Sequence, residues 1–501
     1  MKFSLSLIIL FQILYFAFPS DDRLVFLYTH FRHGARAPLD INDEFIDKLG
    51  EKWTNPGELT GVGQRMHYLL GLRNRKKYIT GDEKFLSEKF DPHEMLIFSS
   101  NINRTMVSCS SQLQGLYPQI DEVGYILTEG QKEIAMPQVN ISDPEIQKEI
   151  NDLGNSALPH LMQLAPVRMA GDNDRKMNVY DLEECKDERD EQLKYNNENI
   201  PELKEYIKSF NEKYAEKWNK YFNKEKAEFD VNEIHDICDA FLSDYADARP
   251  MSDFKSKSGV NFTEQNEDCF DYFDKLYLYS YHGDKDKVLA HLDSSKIMKE
   301  LAFYMKRRLD ADMSPEKEDE NYKDYSYPRM IMTSGHDSTV SADQIYIIRA
   351  LGLNESDIYR FPRYATQLAI ETRTAKSEGS AKSYSDYTVH GYLDDRKIFE
   401  VSADRFINKI ENEAWSDEEI SDYCGFDDKN KNNNSTSSDD DDDGDNAKKA
   451  YKILMIVFIC LTALLLAACI FLGIKLSRAK SPPPIGKNFS ANMTRNDLQS
   501  H

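Results

Sequence analysis

Three short apolar segments, separated by longer helical stretches, constrain the fold of this 501-residue chain more than any other feature. Residues 23–30, 95–98 and 329–334 have the length and the β-prone composition of buried strands. The first runs toward Gly34 and the third toward Gly335, which is typical of strands that end in a loop. Strands that alternate with helices predict an α/β fold, with a central, mostly parallel sheet flanked by helices.

Two helices are predicted beside these strands. One begins after Thr60, a residue type that caps helix N-termini well, and the other runs from residue 104 to about 116 before Pro118. In the first helix, apolar residues recur at the spacing of a single helix face: Val62, Met66, Leu69 and Leu70.

The middle of the chain has a different character. Residues 142–310 are rich in Glu, Lys, Asn and aromatic side chains and are predicted to form a mainly helical cap insertion. Residues 367–371, 387–392 and 397–401 follow as predicted strands near a sheet edge. The predicted globular domain therefore extends over residues 21–425.

Apolar runs lie near both ends of the chain. Residues 1–20 have the layout of a signal peptide, with a short N-terminal membrane anchor as the alternative. Residues 453–474 carry no charge and are long enough to cross a hydrocarbon core of ~30 Å as a transmembrane helix. A single-pass type I membrane protein of the secretory pathway is predicted, with residues 475–501 as the cytoplasmic tail. Plasma membrane, lysosome and vacuole all stay open.

The charge of the chain bears on its partners. The net charge of −23 argues against nucleic acid, because phosphate backbones attract basic surfaces. Residues 426–452 are dominated by Asp, Asn, Lys and Ser, cannot bury a core, and are predicted to form a disordered acidic stalk.

Five cysteines lie outside the predicted membrane span, so at least one is unpaired. Because an oxidising compartment favours pairing, we predict the disulfides Cys185–Cys424 and Cys238–Cys269. Cys109 is predicted to be the free thiol, since its helix is expected to pack beside the functional site. Several sequons fit a glycosylated ectodomain: Asn140, Asn261, Asn354, Asn433 and Asn434.

The stretch Arg32-His-Gly-Ala-Arg-Ala-Pro38 carries the most chemical information. An isolated histidine is usually structural, but here two arginines flank His33 and lower its pKa by disfavouring imidazolium. Holding such groups together indicates an anion-binding role. Guanidinium groups match phosphate oxygens, and imidazole can attack phosphorus and hold the phosphoryl group covalently.

This stretch resembles the R-H-G-x-R-x-P signature of the histidine acid phosphatases, a branch of the histidine phosphatase superfamily. Two more segments resemble motifs of that family: Phe98-Ser-Ser-Asn-Ile-Asn-Arg-Thr105, which contains Arg104, and Ser334-Gly-His-Asp-Ser-Thr339. The segment from Leu59 to Gly63 resembles a scaffolding element that follows the signature. The resemblance covers residues 24–410, is loose across the insertion, and implies an α/β core with a helical cap that commonly forms a homodimer.

The resemblance also implies a role for each motif residue. His33 is the nucleophile and Asp337 the general acid that protonates the departing alkoxide. The remaining motif residues bind the phosphate oxygens of the substrate: Arg32, Arg36, Arg104 and His336. No metal and no cofactor is implied, because the arginines take the role that magnesium has elsewhere. The predicted function is that of an acid phosphatase acting on phosphate monoesters through a phosphohistidine.

Three alternatives remain. A phosphoglycerate-mutase-like transferase is disfavoured by the signal peptide, since such enzymes are typically cytosolic. A lipid-phosphate or inositol-phosphate phosphatase is compatible with every motif. A non-catalytic, receptor-like ectodomain on the same fold is disfavoured because all six motif residues are intact.

Overall fold

The computed structural model of the chain describes residues 22–39, 53, 55–118, 125–137, 139, 141–170, 185–249, 258–282, 288–315 and 327–425. The predicted signal peptide, stalk, membrane span and cytoplasmic tail lie outside these residues. Among the residues described, no helix is long and apolar enough to cross a membrane.

The strands of the described residues belong to one mixed sheet. They are β1 (Arg23–Arg32), β2 (Met95–Ser100), β3 (Arg168–Ala170), β4 (Met330–Gly335), β5 (Gln367–Thr374), β6 (Thr388–Leu393) and β7 (Arg396–Ser402). Their order across the sheet is β3-β2-β4-β1-β5-β6-β7.

The sheet is flanked by helices, as the predicted α/β class requires. The α-helices of the described ranges are α1 (Gly61–Tyr78), α2 (Asn103–Leu116), α3 (Glu129–Ile134), α4 (Pro144–Leu153), α5 (Lys186–Asn199), α6 (Pro201–Phe222), α7 (Val231–Ala246), α8 (Phe262–His282), α9 (Val288–Met313), α10 (Asp337–Leu351), α11 (Glu355–Ile358), α12 (Ala403–Glu413) and α13 (Asp417–Cys424).

The sheet is mixed rather than mostly parallel. Strand β4 runs parallel to both β1 and β2, and β2 runs parallel to β3. The other half is antiparallel, with β5 beside β1, then β6 and β7. The turn at Asp394 and Asp395 joins β6 directly to β7, and a connection this short can only join antiparallel strands.

Strand β1 is buried on both faces of the sheet because successive side chains point to opposite sides. Phe26 and Tyr28 pack into a core shared with α9, α10 and α12. Leu27 and Phe31 pack into a second core shared with α1 and α2. This burial explains why the segment is almost continuously apolar in the sequence.

A third core lies within the predominantly helical region that precedes β4. Helices α6, α7 and α8 enclose it, and its buried rings include Phe210, Trp218, Phe241 and Tyr272. Helix α9 instead packs against the sheet. The short strand β3 also departs from the helical expectation, since it adds an edge to the sheet beside β2.

Both predicted disulfides are present. Cys185–Cys424 links the residue before α5 to the end of α13, and Cys238–Cys269 links α7 to α8. Cys109 is a buried free thiol, as predicted. Burial raises the pKa of this thiol to about 12, so Cys109 is an unreactive core residue.

Helix α1 has the predicted N-cap but not the predicted buried face. The Thr60 hydroxyl accepts a hydrogen bond from the backbone of Gly63 at 3.2 Å. Val62 and Leu69, however, are 37% and 55% exposed. The face that packs on α2 carries Gly71 instead, where an added Cβ would lie 2.0 Å from the carbonyl oxygen of Gln112. Close approach of two helix backbones therefore replaces apolar burial here.

The parallel half of the sheet positions the site. In the strand register Arg32 lies opposite Gly335, and Ser99 lies opposite Ser334. The loops that follow β1, β2 and β4 therefore meet at one edge of the sheet, which is where α/β sheets bind ligands.

Candidate active site

His33 is held in a single tautomer by its own loop. Its backbone N–H donates to the carbonyl of Gly335 at 3.0 Å, which ties the loop after β1 to the end of β4. Its ring Nδ1 lies 2.9 Å from the carbonyl oxygen of Gly34. Because a carbonyl can only accept, Nδ1 carries the proton and Nε2 keeps its lone pair. The buried imidazole therefore has an unprotonated Nε2.

The loop that carries His33 lies directly on the start of α1. A Cβ at Gly34 would be 2.4 Å from the carbonyl oxygen of Gly63, and one at Gly63 would be 2.2 Å from that of Ala35. The backbone of Thr60 donates to Ala35 at 2.9 Å. The segment from Leu59 to Gly63 therefore supports the histidine loop, consistent with the scaffolding interpretation.

Arg32 is fixed by contacts on three sides. One guanidinium nitrogen donates to the carbonyl of Pro362 at 2.9 Å, and another lies 2.6 Å from Asp337 Oδ2. The guanidinium carbon lies 4.4 Å from the ring centroid of Tyr364 and 5.1 Å from that of Phe361. Such stacking orients a guanidinium while leaving its edge for an anion.

Arg36 forms a two-pronged ion pair with Asp239 of α7. The two terminal nitrogens of Arg36 lie 3.0 and 2.7 Å from the carboxylate oxygens, and both side chains are largely buried. The backbone N–H of Leu39 also donates to Asp239 at 3.2 Å. The Nε atoms of Arg32 and Arg36 are buried without a hydrogen-bond partner among the described residues. Buried donors of this kind fit an oxyanion.

Arg104 and His336 contact each other beside His33. A terminal nitrogen of Arg104 lies 3.3 Å from His336 Nδ1. Because the guanidinium can only donate, Nδ1 of His336 accepts and its Nε2 donates to Ser100, 2.9 Å away. Ser100 in turn contacts the Thr105 hydroxyl at 2.7 Å. The rings of His33 and His336 have centroids 5.7 Å apart.

Asp337 is the first residue of α10 and lies within reach of Arg32. Its Oδ1 accepts from the backbone of Ser338 at 2.9 Å, and the Tyr277 hydroxyl lies 3.5 Å from the same oxygen. Burial raises the pKa of Asp337, but the charges of Arg32 and Arg36 outweigh it and lower that pKa to about 2. The carboxyl is therefore ionised before an anion binds.

The same arginines keep the two histidines neutral. Burial, followed by the charges of Arg32, Arg36 and Arg104, holds the pKa of His33 well below its usual value of 6.5. Burial and Arg104 likewise hold the pKa of His336 well below that value, although Asp337 opposes the shift. The lowered pKa expected for His33 from its flanking arginines is present, with burial as the larger cause.

The structure brings all six motif residues together at the end of the parallel strands. It adds four side chains that the sequence did not single out: Asp239, Tyr277, Tyr364 and Ser100. Asp239 and Tyr277 come from the divergent helical region, where a single Asp or Tyr has no distinguishing pattern. Ser100 could have been found, because a polar residue at the carboxyl end of a buried strand next to a motif is a site signal.

Within the described residues, no group of three or more His, Cys, Asp or Glu side chains is arranged to hold a metal ion. The site is instead a buried cluster of arginines around an unprotonated histidine nitrogen, at the edge of an α/β sheet. Chemically, such an arrangement can bind a phosphoryl group next to a nucleophilic nitrogen.

The family follows from a comparison with known proteins. Residues 23–385 match the histidine phosphatase superfamily (branch 2), and the chain belongs to this family.

Two relatives match a shorter stretch of the chain. The lysosomal acid phosphatase of Xenopus laevis is 33% identical over 122 residues, which are 23% of this chain and 26% of the relative. The prostatic acid phosphatase of Homo sapiens is 36% identical over 97 residues, 19% of this chain and 24% of the relative. The chain thus spans about a quarter of the length of these curated relatives.

One solved structure shares the fold over nearly its whole length. The phytase of Hafnia alvei, in complex with myo-inositol hexakis sulphate, superposes with a TM-score of 0.51. It is 12% identical, and the match covers 81% of this chain and 99% of the phytase. At this identity the likeness concerns the fold alone.

Proposed function

We propose that this chain is an acid phosphatase that hydrolyses phosphate monoesters through a phosphohistidine on His33, with Asp337 as general acid. The observation that carries the proposal is the state of His33. Its Nδ1 donates to Gly34, its Nε2 is unprotonated, and burial together with three guanidinium groups lowers its pKa. A neutral nucleophile inside a cationic pocket suits attack on an anionic phosphoryl group.

In the first step, Nε2 of His33 attacks phosphorus in line with the bond to the leaving oxygen. The N–P bond forms as the P–O bond to the alcohol breaks. Three arginines, together with His336, neutralise the equatorial oxygens, where charge must be stabilised during phosphoryl transfer. Asp337 gives its proton to the leaving oxygen.

Asp337 must first gain that proton, because its pKa is about 2 in the unliganded site. A phosphate monoester has a second pKa near ~6, so its monoanion brings a proton into the site at acid pH. The charge of the bound phosphoryl group also raises the pKa of Asp337 by offsetting the arginines. Proton transfer from substrate to Asp337 therefore precedes attack.

In the second step, water attacks the phosphohistidine. Asp337, now ionised, accepts a proton from this water while the N–P bond breaks. The products are inorganic phosphate and neutral His33. The same carboxyl thus serves as acid and then as base.

Replacing the nucleophile tests the proposal. His33→Ala is expected to abolish turnover of an aryl phosphate at acid pH without unfolding the domain, since a covalent nucleophile has no substitute. Acid quenching with labelled substrate should leave phosphate bound to the wild-type protein and none to the variant. Full turnover by His33→Ala, measured on protein with a wild-type circular dichroism spectrum, would exclude a phosphohistidine on this residue.

The role of Asp337 is tested by the leaving group. Asp337→Asn is expected to lose more activity on an alkyl phosphate than on a nitrophenyl phosphate, because a basic alkoxide needs protonation most. Equal losses on both substrates would assign Asp337 another role. A panel that includes inositol and lipid phosphates on the same purified domain would identify the substrate class among monoesters.

We also propose that the catalytic domain faces the lumen of the secretory pathway or the outside of the cell. The apolar run at residues 1–20 supports this orientation. So do the disulfides Cys185–Cys424 and Cys238–Cys269, since such bonds are rare in reducing compartments.

A further inference from the structure

A histidine and an aspartate form a buried pair beneath the site, and the reaction does not use either directly. His30 on β1 is 0% exposed and Asp343 on α10 is 1% exposed. His30 Nδ1 lies 2.7 Å from Asp343 Oδ2. The pair is three residues before His33 on one side and six residues after Asp337 on the other.

The carboxylate of Asp343 has two hydrogen-bond donors in addition to His30. The Ser294 hydroxyl donates to Oδ1 at 2.8 Å, and the Tyr28 hydroxyl lies 3.4 Å from Oδ2. Stability alone does not account for such a pair. Apolar side chains of similar volume usually serve a core at least as well, because removing charged groups from water is costly.

The other ring nitrogen of His30 leads toward the site. Its Nε2 lies 3.3 Å from the Thr339 hydroxyl. The same hydroxyl oxygen accepts the backbone N–H of His336 at 2.9 Å. A continuous chain of hydrogen-bonded groups therefore runs from Asp343 through His30 and Thr339 to the peptide that precedes Asp337.

Gly335 leaves the space in which the side chains of His30 and Thr339 meet. A Cβ at Gly335 would lie 2.4 Å from His30 Nε2 and 2.6 Å from the Thr339 hydroxyl oxygen. The glycine before the His-Asp motif is therefore required by the contact between His30 and Thr339. Three elements, β1, β4 and the first turn of α10, meet at this contact.

We propose that His30 and Asp343 are a positioning pair: through Thr339 they fix the first turn of α10, so that His336 and Asp337 face the phosphoryl group. The inference rests on the proposed function, because it requires Asp337 to act as the general acid. Without the pair, Thr339, whose hydroxyl accepts the backbone N–H of His336, would lose its contact with His30, and Asp337 would shift relative to the leaving oxygen.

An apolar double substitution separates positioning from core packing. Single substitutions would leave an unpaired buried group and are expected to destabilise the fold. His30→Leu combined with Asp343→Leu removes both partners and is expected to unfold within a few degrees of the wild type. If the pair only filled the core, this variant would also keep wild-type kinetics on every substrate.

The expected kinetic result is selective. The kcat of the double variant on an alkyl phosphate should fall roughly tenfold more than its kcat on a nitrophenyl phosphate. Ser294→Ala is the matched control, because it removes a donor to the same carboxylate without touching the link to His336. It should leave the ratio of the two kcat values unchanged.

A second variant keeps the test decisive if the double variant fails to fold. Thr339→Val preserves shape and removes only the hydroxyl link, so it should show the same selective loss. Wild-type kinetics on both substrates, or an equal loss on both, would overturn the positioning role.

Asp337→Asn is the reference variant: if its loss is selective for the alkyl phosphate and that of the double variant is not, only this inference fails. If Asp337→Asn is itself unselective, the proposed general acid and this inference fail together.

Discussion

The guanidinium groups around His33 lower the pKa of both His33 and Asp337, which leaves the first neutral and the second negatively charged. They keep His33 unprotonated and Asp337 ionised, because both shifts minimise positive charge in the pocket. A free imidazole would be mostly charged below its ordinary pKa of ~6.5 and would lose its nucleophilicity there. In the proposed reaction, His33 therefore stays unprotonated in acid, where the substrate monoanion would supply the proton that Asp337 needs.

A histidine that is buried and neutral lowers the free energy of unfolding in acid, and His67 is an example. Burial lowers the pKa of His67 to about 4, although a hydrogen bond with Gln112 opposes the shift. The unfolded chain takes up this proton near pH ~6.5 and the folded chain only near pH 4. The free energy of unfolding therefore falls as pH drops through that window, by about 2 kcal/mol between pH 7 and pH 5 for this residue alone.

His67→Asn is expected to remove that part of the pH dependence, because Asn offers a donor to Gln112 but does not titrate. Urea unfolding at pH 7 and pH 5 would measure it. The difference in free energy of unfolding between the two pH values should be smaller in the variant by about 2 kcal/mol. An unchanged difference would mean that folding does not shift the pKa of His67.

Asp239 compensates the charge of the buried Arg36 guanidinium. Asp239→Asn keeps the shape but leaves a buried guanidinium without its carboxylate, so the free energy of unfolding should fall by about 3 kcal/mol. Saturating inorganic phosphate should stabilise this variant more than the wild type, because the bound anion takes over the compensation. Thermal unfolding with and without phosphate is the measurement.

The pair between Arg189 and Asp293 supplies the control. It is also a two-pronged, largely buried contact, with nitrogen–oxygen distances of 3.0 and 2.9 Å. Asp293→Asn should destabilise the protein comparably, yet phosphate should add no more stability than it adds to the wild type. If phosphate restores both variants equally, Arg36 does not contact the bound anion.

Some residues of the site can be identified from local sequence motifs, and others cannot. The six motif residues follow strands in short, specific segments, and the structure brings them together. Asp239 and Tyr277 reach the site from α7 and α8, and their approach depends on how a separate helical core packs. His30 reads in the sequence as one more residue of an apolar strand, although it pairs with Asp343. No local spacing encodes such contacts.

The contact between helices α1 and α2 is a case in which the spacing of apolar residues predicts the wrong buried face. The apolar positions Val62 and Leu69 are exposed, while glycines occupy the contact. An added Cβ at Gly115 of α2 would lie 2.0 Å from the carbonyl oxygen of Tyr68, which mirrors the contact at Gly71. Hydropathy assigns no weight to glycine, so a helix interface made by backbone proximity cannot be found from an apolar stripe.

Gly71→Ala is therefore expected to push α1 and α2 apart. The free energy of unfolding should fall by about 2 kcal/mol or more, because the clash is with backbone. Activity should fall too, since Arg104 lies in the first turn of α2.

Gly61→Ala in α1 is the control: no atom lies within 4 Å of the added Cβ. It should be neutral or stabilise by about 0.5 kcal/mol, as urea unfolding would measure. Equal effects of the two substitutions would contradict the close helix contact.

Six of the seven strands among the described residues lie at predicted segments, and the shortest strand was missed. The segments that became β1, β2 and β4 have enough apolar residues for burial on both faces, and that signal survives in the sequence. Strand β3 has only three residues and belongs to an otherwise helical region. Its pairing depends on the exposed edge of β2, which is a tertiary property.

Across the whole molecule, the proposed site belongs to a single compact unit of the chain. All six motif residues and both disulfides lie between residues 22 and 425. Cys424, at the end of α13, is tied to Cys185 across 239 residues of sequence. Closing so long a loop restricts the unfolded chain strongly, worth about 5 kcal/mol in the chain-entropy model.

Deleting the chain from Tyr451 onward should therefore release a soluble, active phosphatase into the medium. The prediction combines three features: the apolar run at residues 1–20, the two disulfides, and the uncharged run at residues 453–474. Like charges along the predicted acidic stalk should repel and extend it, so that the domain stands off the bilayer. Full-length protein should instead remain with membranes after a high-salt wash.

Protease protection distinguishes a membrane span from a cleaved lipid-anchor signal. Such signals normally end in their hydrophobic stretch, whereas here basic and polar residues follow it from Lys475 onward. With a tag at His501, protease added to intact cells should cut away a surface-exposed catalytic domain and leave the tag protected inside. In sealed secretory vesicles the pattern should reverse, with the tag cut and the domain protected. Loss of the tag from intact cells under these conditions would show that the chain does not cross the membrane in the predicted direction.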